Sequence, residues 1–231
     1  MAETSSIQCV GFIMDGNRRW AKDQGRPTLE GHRKGAETFT EIARAIRDAH
    51  TPHAVFYAFS TENWHRSEEE VAYLMDLFEE FLDRADKELK DNDEKKVHIK
   101  VVGRTDDFPA HLQKRIAELE EKDAEIEADT TIWVALSYGG RAEIVAAVNH
   151  AITKGEAVDE ESFNNLLWSG DMPDPDIIIR TSGEQRLSNF MTWKSVYSEL
   201  FFTDTKWPAF TKEELYSILD SYNERQRRKG K

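Results

Sequence analysis

The chain has 231 residues, 39% of them apolar and 32% charged, a balance that fits one large or two small soluble domains with a sizeable core. Its formal net charge of −13 sets it against nucleic acid and anionic lipid, so any anion site needs positive charge concentrated locally. A lone cysteine, Cys9, inside an apolar run leaves no intramolecular disulfide or cysteine metal cluster, and the lack of a leader or long apolar segment reads as a cytoplasmic protein.

The apolar run over residues 7–14 predicts a first strand covered on both faces. It stops on Asp15-Gly16-Asn17 and turns basic at Arg18, Arg19 and Lys22. Two readings stand for this turn. It is either a ligand site at a strand end, where small residues let a ligand approach the backbone, or a cap made by Asp15 or Asn17 for a helix starting at Arg18. Gly25-Arg26-Pro27 breaks the chain, and Gly31-His32-Arg33-Lys34-Gly35 leads into a helix to about His50 with Phe39, Ile42, Ala43 and Ile46 on one face. A second strand over 53–59 empties into the polar loop Ser60 to Arg66. Ser67 with Glu70 predicts a capping box for a long helix to about Leu89.

Further strands are predicted over 97–103, 131–136, 176–179 and 199–203, and helices over 109–126, 142–152, 162–168 and 211–227. The acidic tract over 118–129 reads as a solvated helix face. Strands alternating with helices imply an α/β fold: one domain over 1–231, with a mainly parallel central sheet of about six strands and helices on both faces.

Ligands of open α/β sheets bind outside the carboxyl ends of the strands. Four predicted strands end in polar clusters, at Asp15, Ser60, Tyr138 and Arg180, which the topology brings to one edge. Arg19, Arg66, Arg141, Arg180 and Arg186 gather there with several glycines, a composition suited to phosphate or diphosphate. Neither a Gly-x-x-x-x-Gly-Lys-Ser/Thr loop nor a Gly-x-Gly-x-x-Gly turn is present, which argues against P-loop nucleotidases and dinucleotide enzymes. A phosphatase with an Asp-x-Asp-Gly nucleophile fits poorly, because the second aspartate is missing. The Met and Phe stripe of the long helix reads as ordinary core or as the wall of an apolar tunnel; in the second case the substrate has an apolar tail.

The segments Met14-Asp15-Gly16-Asn17-Arg18-Arg19-Trp20-Ala21, Gly31-His32-Arg33-Lys34-Gly35, Tyr57 to Trp64, Tyr138-Gly139-Gly140-Arg141 and Arg180 to Phe190, followed by Trp193, Tyr197, Glu199, Leu200, Phe202 and Trp207, resemble the cis-prenyltransferases in order and spacing. The likeness runs from about Val10 to about Arg228. It implies sequential condensation of isopentenyl diphosphate onto an allylic diphosphate such as farnesyl diphosphate, to make a polyprenyl diphosphate for lipid-carrier synthesis.

By this resemblance Asp15 is a catalytic residue that holds Mg²⁺ on a diphosphate, and Glu199 completes the metal site near a subunit interface. Gly16, Asn17, Arg18 and Arg19 line the allylic diphosphate site, Trp20 is a further substrate-binding residue, and Arg180, Arg186 and Ser188 hold isopentenyl diphosphate. His32, Ser60, Asn63, Trp64 and Arg66 position substrates or assist proton removal, Asn63 as a catalytic residue, with diphosphate itself as the other candidate base. The resemblance further implies a homodimer, a mobile lid over residues 60–70 and transient peripheral membrane contact for product release. Arg228-Lys229-Gly230 matches a tail that reaches the partner's site in some members, or is a frayed basic end.

Three positions depart from common members. Arg18 stands where many have glycine, Thr28 where some have arginine, and Gln185 where some have histidine, which argues against a histidine relay there. Ala58 leaves room for a long tail, whereas Phe78, Phe81 and Leu136 are the residues placed to plug a tunnel. A non-catalytic partner subunit is the second reading; such partners typically lose the aspartate retained here as Asp15.

Overall fold

The structure, a computed structural model, describes residues 7–90, 97–125 and 127–225, with no side-chain description over 86–90. The Arg228-Lys229-Gly230 tail therefore lies outside the described residues. In chain order come β1 (Cys9–Ile13), α1 (Asn17–Asp23), α2 (Thr28–Asp48), β2 (His53–Ser60), α3 (Glu68–Lys90), β3 (His98–Val102), α4 (Ala110–Asp123), β4 (Thr131–Tyr138), α5 (Gly140–Lys154), α6 (Glu160–Asn164), β5 (Ile177–Arg180), β6 (Glu199–Phe202) and α7 (Lys212–Glu224). Short 3-10 turns cover Thr61–His65, Thr105–Asp107 and Trp207–Ala209.

The six strands form one parallel sheet in the order β3-β4-β2-β1-β5-β6. Burial on both faces accounts for the unbroken apolar runs of β1, β4 and β5. Alternation along the strands then divides the core. Val10, Phe12, Phe56, Val134 and Ile179 face the layer made by α2, α3, α4 and α7. There Phe12 stacks on Phe56 with centroids 4.6 Å apart, and burying each such ring contributes about 2 kcal/mol. Cys9, Ile13, Val55, Trp133 and Ile178 face the other way, against Met172, Phe190 and Met191. That second face is roofed largely by irregular chain, while α5 and α6 share a smaller cluster with Trp193.

Three local expectations shift. The Gly31 to Gly35 segment lies inside α2 rather than leading into it. Glycine is required at Gly31 by close packing, because a Cβ there would collide with the carbonyl oxygen of Asn17 in α1. The short helix predicted over 162–168 is α6, two residues earlier, because Asp159 and Ser162 form a reciprocal cap in which Ser162 N donates to Asp159 Oδ1 at 2.9 Å. At α3 only half of the predicted box forms: Glu70 N donates to Ser67 Oγ at 3.3 Å, but the Glu70 carboxylate turns elsewhere.

After β1 the chain builds β2 on one side, sets β4 and β3 beyond it, and then crosses to place β5 on the other side of β1. The direction of winding thus reverses between β1 and β5, which opens a crevice at their carboxyl ends.

Candidate active site

Asp15 lies two residues beyond β1, and Arg180 is the last residue of β5. Across the crevice Arg180 Nη2 donates to Asp15 Oδ2 at 2.8 Å. The same buried guanidinium donates through Nη1 to the Arg186 carbonyl at 2.5 Å and to Ser188 Oγ at 2.7 Å, so it fastens the loop after β5 to the end of β1. Arg19 adds an ion pair to Asp15 at 3.3 Å and another to Glu184 at 3.1 Å. Burial pushes the Asp15 carboxyl upward, but the Arg180 hydrogen bond and charge, helped by Arg19 and the Gly16 N–H, outweigh it and hold the group below 3.8.

Gly16 makes the turn that delivers Asp15. Its φ of 103° is left-handed, and a Cβ would come 2.8 Å from Ser182 Oγ. Around it Asn17 Oδ1, Ser182 Oγ and Arg180 Nε are buried with no hydrogen-bond partner, a set of polar atoms able to meet a ligand.

Asp15, Gly16, Asn17, Arg18, Arg19, His32 and Arg66 line an open cleft of about 830 Å³. Through Met14, Asn17 and His32 it adjoins an apolar cavity of about 110 Å³ that Ala58, Leu74 and Phe78 also line. A further cavity of about 70 Å³ lies between α2 and α3, beyond Phe39 and Phe81. Those two rings meet edge to face at 5.3 Å, so the path is a string of chambers with an aromatic waist. Phe78, Phe81 and Leu136 also bound a side chamber of about 10 Å³. A cationic cleft leading into an apolar path suits a molecule with an anionic head and a hydrocarbon tail.

Residues 13–230 match the sequence family described as "Putative undecaprenyl diphosphate synthase". The isoprenyl transferase of Thermotoga maritima is 42% identical, covering 96% of each chain. The ditrans,polycis-undecaprenyl-diphosphate synthase ((2E,6E)-farnesyl-diphosphate specific) of Micrococcus luteus is 42% identical over 96% of this chain and 90% of that one. The chain belongs to the undecaprenyl diphosphate synthase family. Its fold matches lavandulyl diphosphate synthase of Lavandula x intermedia, solved with dimethylallyl diphosphate, at a TM-score of 0.90 with 30% identity over 98% of this chain and 99% of that one. A probable undecaprenyl diphosphate synthase of Campylobacter jejuni matches at a TM-score of 0.80 with 28% identity and the same coverage. The protein is a prenyl transferase of the cis type, and its reaction is cis-prenyl chain elongation.

In this prenyltransferase His32 is buried, and its Nε2 lies 2.9 Å from Glu70 Oε1. Arg66 Nη1 donates to the same oxygen at 2.9 Å, and Arg18 stands 4.0 Å from Oε2. Burial raises the Glu70 carboxyl, but His32, Arg66 and Arg18 together bring it below 4.5. Burial lowers His32 below 6.5, with Arg66 and Arg18 adding to that against the opposing pull of Glu70. His32 is therefore neutral at pH 7, with its proton on Nε2 and Nδ1 left as an acceptor.

The turn after β2 is closed by its own side chains. Asn63 Oδ1 accepts from Ser60 N at 3.0 Å, and the Ser60 hydroxyl accepts from the Asn63 N–H in return. The Asn63 oxygen is thus engaged in a cap. Trp64 Nε1 donates to Ser137 Oγ at 2.9 Å, and that hydroxyl donates to Asp107 Oδ2 at 2.5 Å.

Of the other expected site residues, Ser60, Asn63 and Trp64 lie at the turn after β2 and Arg180, Arg186 and Ser188 on the far side of the crevice, outside the cleft lining, and two more stand further apart. Trp20 does not line it; its ring lies beside the Arg26 guanidinium, 5.9 Å from the centroid. Glu199 pairs in register with Ile177, whereas Arg180 pairs with Phe202, so Glu199 sits at the amino end of β6 and Asp15 at the carboxyl edge of the sheet. Within one chain the two carboxylates do not share an ion, and Glu199 Oε2 instead accepts from Arg225 Nη1 at 2.9 Å.

Glu70, Ser137, Asn189 and Glu62 were not singled out from the sequence as site residues. Glu70 carried a signal that read as a helix cap, and the others pair across long stretches of chain.

Proposed function

We propose that this prenyltransferase condenses isopentenyl diphosphate units onto an allylic diphosphate, with farnesyl diphosphate as primer, to make a polyprenyl diphosphate carrier lipid. The supporting observation is the Asp15–Arg180 contact at the mouth of an apolar path, which places diphosphate-binding chemistry where a growing tail can be stored. The specificity printed in the name of the Micrococcus luteus relative supports the choice of primer.

The backbone at Gly16 and the side chains of Asn17, Arg18 and Arg19 receive the allylic diphosphate, and Arg180, Arg186 and Ser188 receive the isopentenyl one. The allylic C–O bond breaks, a C–C bond forms to the terminal carbon of the isopentenyl unit, and a proton leaves that unit. Asn63 Oδ1 is held in its cap, which leaves the departing diphosphate, lying in the same cleft as the reacting carbons, as the acceptor this reading favours over His32 Nδ1. Arg66 lines the cleft, and with Ser60 and Trp64 on the adjoining turn it keeps water from the allylic carbon.

Among the described residues no three metal-type side chains gather, and Asp15 is the carboxylate lining the cleft. One carboxylate with substrate phosphate oxygens matches the usual protein share of a Mg²⁺ site, so the residues fit. When bound there, Mg²⁺ supplies charge neutralisation for the leaving diphosphate.

We further place the enzyme in the cytoplasm as a homodimer. Leu200 and Phe202 on the edge strand β6, with Val196 and Tyr197 just before it, are exposed and support pairing of two copies beside that edge. At such an interface Glu199 comes near a second copy. Among the described residues no helix is long and apolar enough to cross a membrane.

The test is incubation with farnesyl diphosphate, radiolabelled isopentenyl diphosphate and Mg²⁺, with separation of the dephosphorylated products. Extended chains are expected. No extension with any of several allylic primers would overturn the reading.

A further inference from the structure

The Thr61–His65 turn carries Asn63 and Trp64 and is tied down on two sides. Trp64 is held by Ser137. On the other side Asn189 Nδ2 donates to Glu62 Oε1 at 2.9 Å, across 127 residues of sequence.

Asn189 is shaped for this contact. Its φ is 65°, and Ser188 and Met191 beside it are also left-handed, at 49° and 47°. Residues with a Cβ occupy this region sparingly, and several together are kept there by their surroundings. The start of α5 does the holding: Gly140 N donates to the Asn189 carbonyl at 2.7 Å, and Arg141 N to Asn189 Oδ1 at 2.8 Å. With its oxygen committed, the amide can present only its nitrogen to Glu62. Gly139 leaves the space, since a Cβ there would come 2.8 Å from Asn189 Nδ2 and 2.6 Å from Thr61 Oγ1. One residue upstream, Ser188 Oγ takes the hydrogen bond from Arg180.

We propose that Asn189 is a positioning residue: its amide latches the Thr61–His65 turn to the loop that holds the second diphosphate, so Asn63 and Trp64 are placed by the same chain segment as Ser188. The functional half of this inference rests on the reaction proposed above; the latch itself does not.

Asn189→Asp keeps the acceptor for Arg141 N and tolerates the left-handed backbone, but sets a carboxylate against Glu62. Adding Glu62→Gln reverses the polarity, because the glutamine amide donates to the new carboxylate. Glu62→Ala removes the tie without touching the strained loop and serves where Asn189→Asp fails to fold.

Amide-hydrogen exchange over residues 61–65 is measured without substrate, alongside KM for isopentenyl diphosphate and kcat. Asn189→Asp and Glu62→Ala are expected to speed exchange there about fivefold and to raise KM by about as much, with a smaller change in kcat. The double variant is expected to return both to within about twofold of wild type. Unchanged exchange in the single variants, or no rescue in the double, overturns the latch. Altered exchange with unaltered kinetics overturns the positioning role. Wild-type protein that extends no chain overturns the reaction instead, and the exchange result still judges the latch.

Discussion

Glu70 on α3 reaches across to His32 on α2, with Oε1 2.9 Å from Nε2. Because Arg66 uses the same oxygen, this one carboxylate joins two helices and the loop between β2 and α3. Glu70→Ala leaves the buried His32 N–H without a partner. The expected loss is about 2 kcal/mol of stability at pH 7, read from urea midpoints at constant slope.

The pH dependence follows from the same pair. His32 titrates below 6.5 in the folded chain because it is buried, so in the window beneath that value the unfolded chain takes up a proton that the folded one refuses. Its contribution is complete above 6.5 and is lost as pH falls through the lower folded value. Glu70 and Asp15, each held below its ordinary 4.5 and 3.8, lose theirs only further down. Denaturation between about pH 5 and about pH 8 should show a slope that His32→Gln flattens in the lower part of the range, beneath 6.5, and leaves unchanged above it.

Asp15→Asn keeps an oxygen for the Arg180 hydrogen bond and removes the negative charge. Turnover is expected to fall at least about a hundredfold while the thermal midpoint changes little. A saturation curve in Mg²⁺ accompanies the kinetics, and near wild-type kcat at any concentration of the ion would refute the assigned role.

Phe81 forms half of the waist between the two larger chambers. Phe81→Ala merges them, and reversed-phase chromatography of dephosphorylated products should show a shift toward longer chains. An unchanged product distribution would mean that the tail does not pass between Phe39 and residue 81.

Much of this arrangement was visible in the chain because its signals are local. An apolar run that ends on Asp15-Gly16-Asn17, or on Arg180, marks both a strand buried on two faces and the edge where ligands gather. What escaped depended on pairing at a distance. Glu70 looks like a cap for α3 until His32, 38 residues away, is folded against it. Gly31 looks like the lead into a helix until α1 packs on it, and only the register of β6 shows that Glu199 lies at the opposite end of the sheet from the Asp15 of its own chain. Asn189 lies in a segment that carries the family resemblance but gives no local sign of its role, since its conformation is imposed by the start of α5.

The Arg180–Asp15 contact also couples the two sides of the crevice. The buried Arg180 guanidinium has its charge met by the Asp15 carboxylate, so on the proposed reading the group that receives one diphosphate is neutralised by the group that serves the other. On that reading a diphosphate arriving on either side competes for one member of the couple. The two halves of the proposed site thus share one electrostatic element, the Asp15–Arg180 pair.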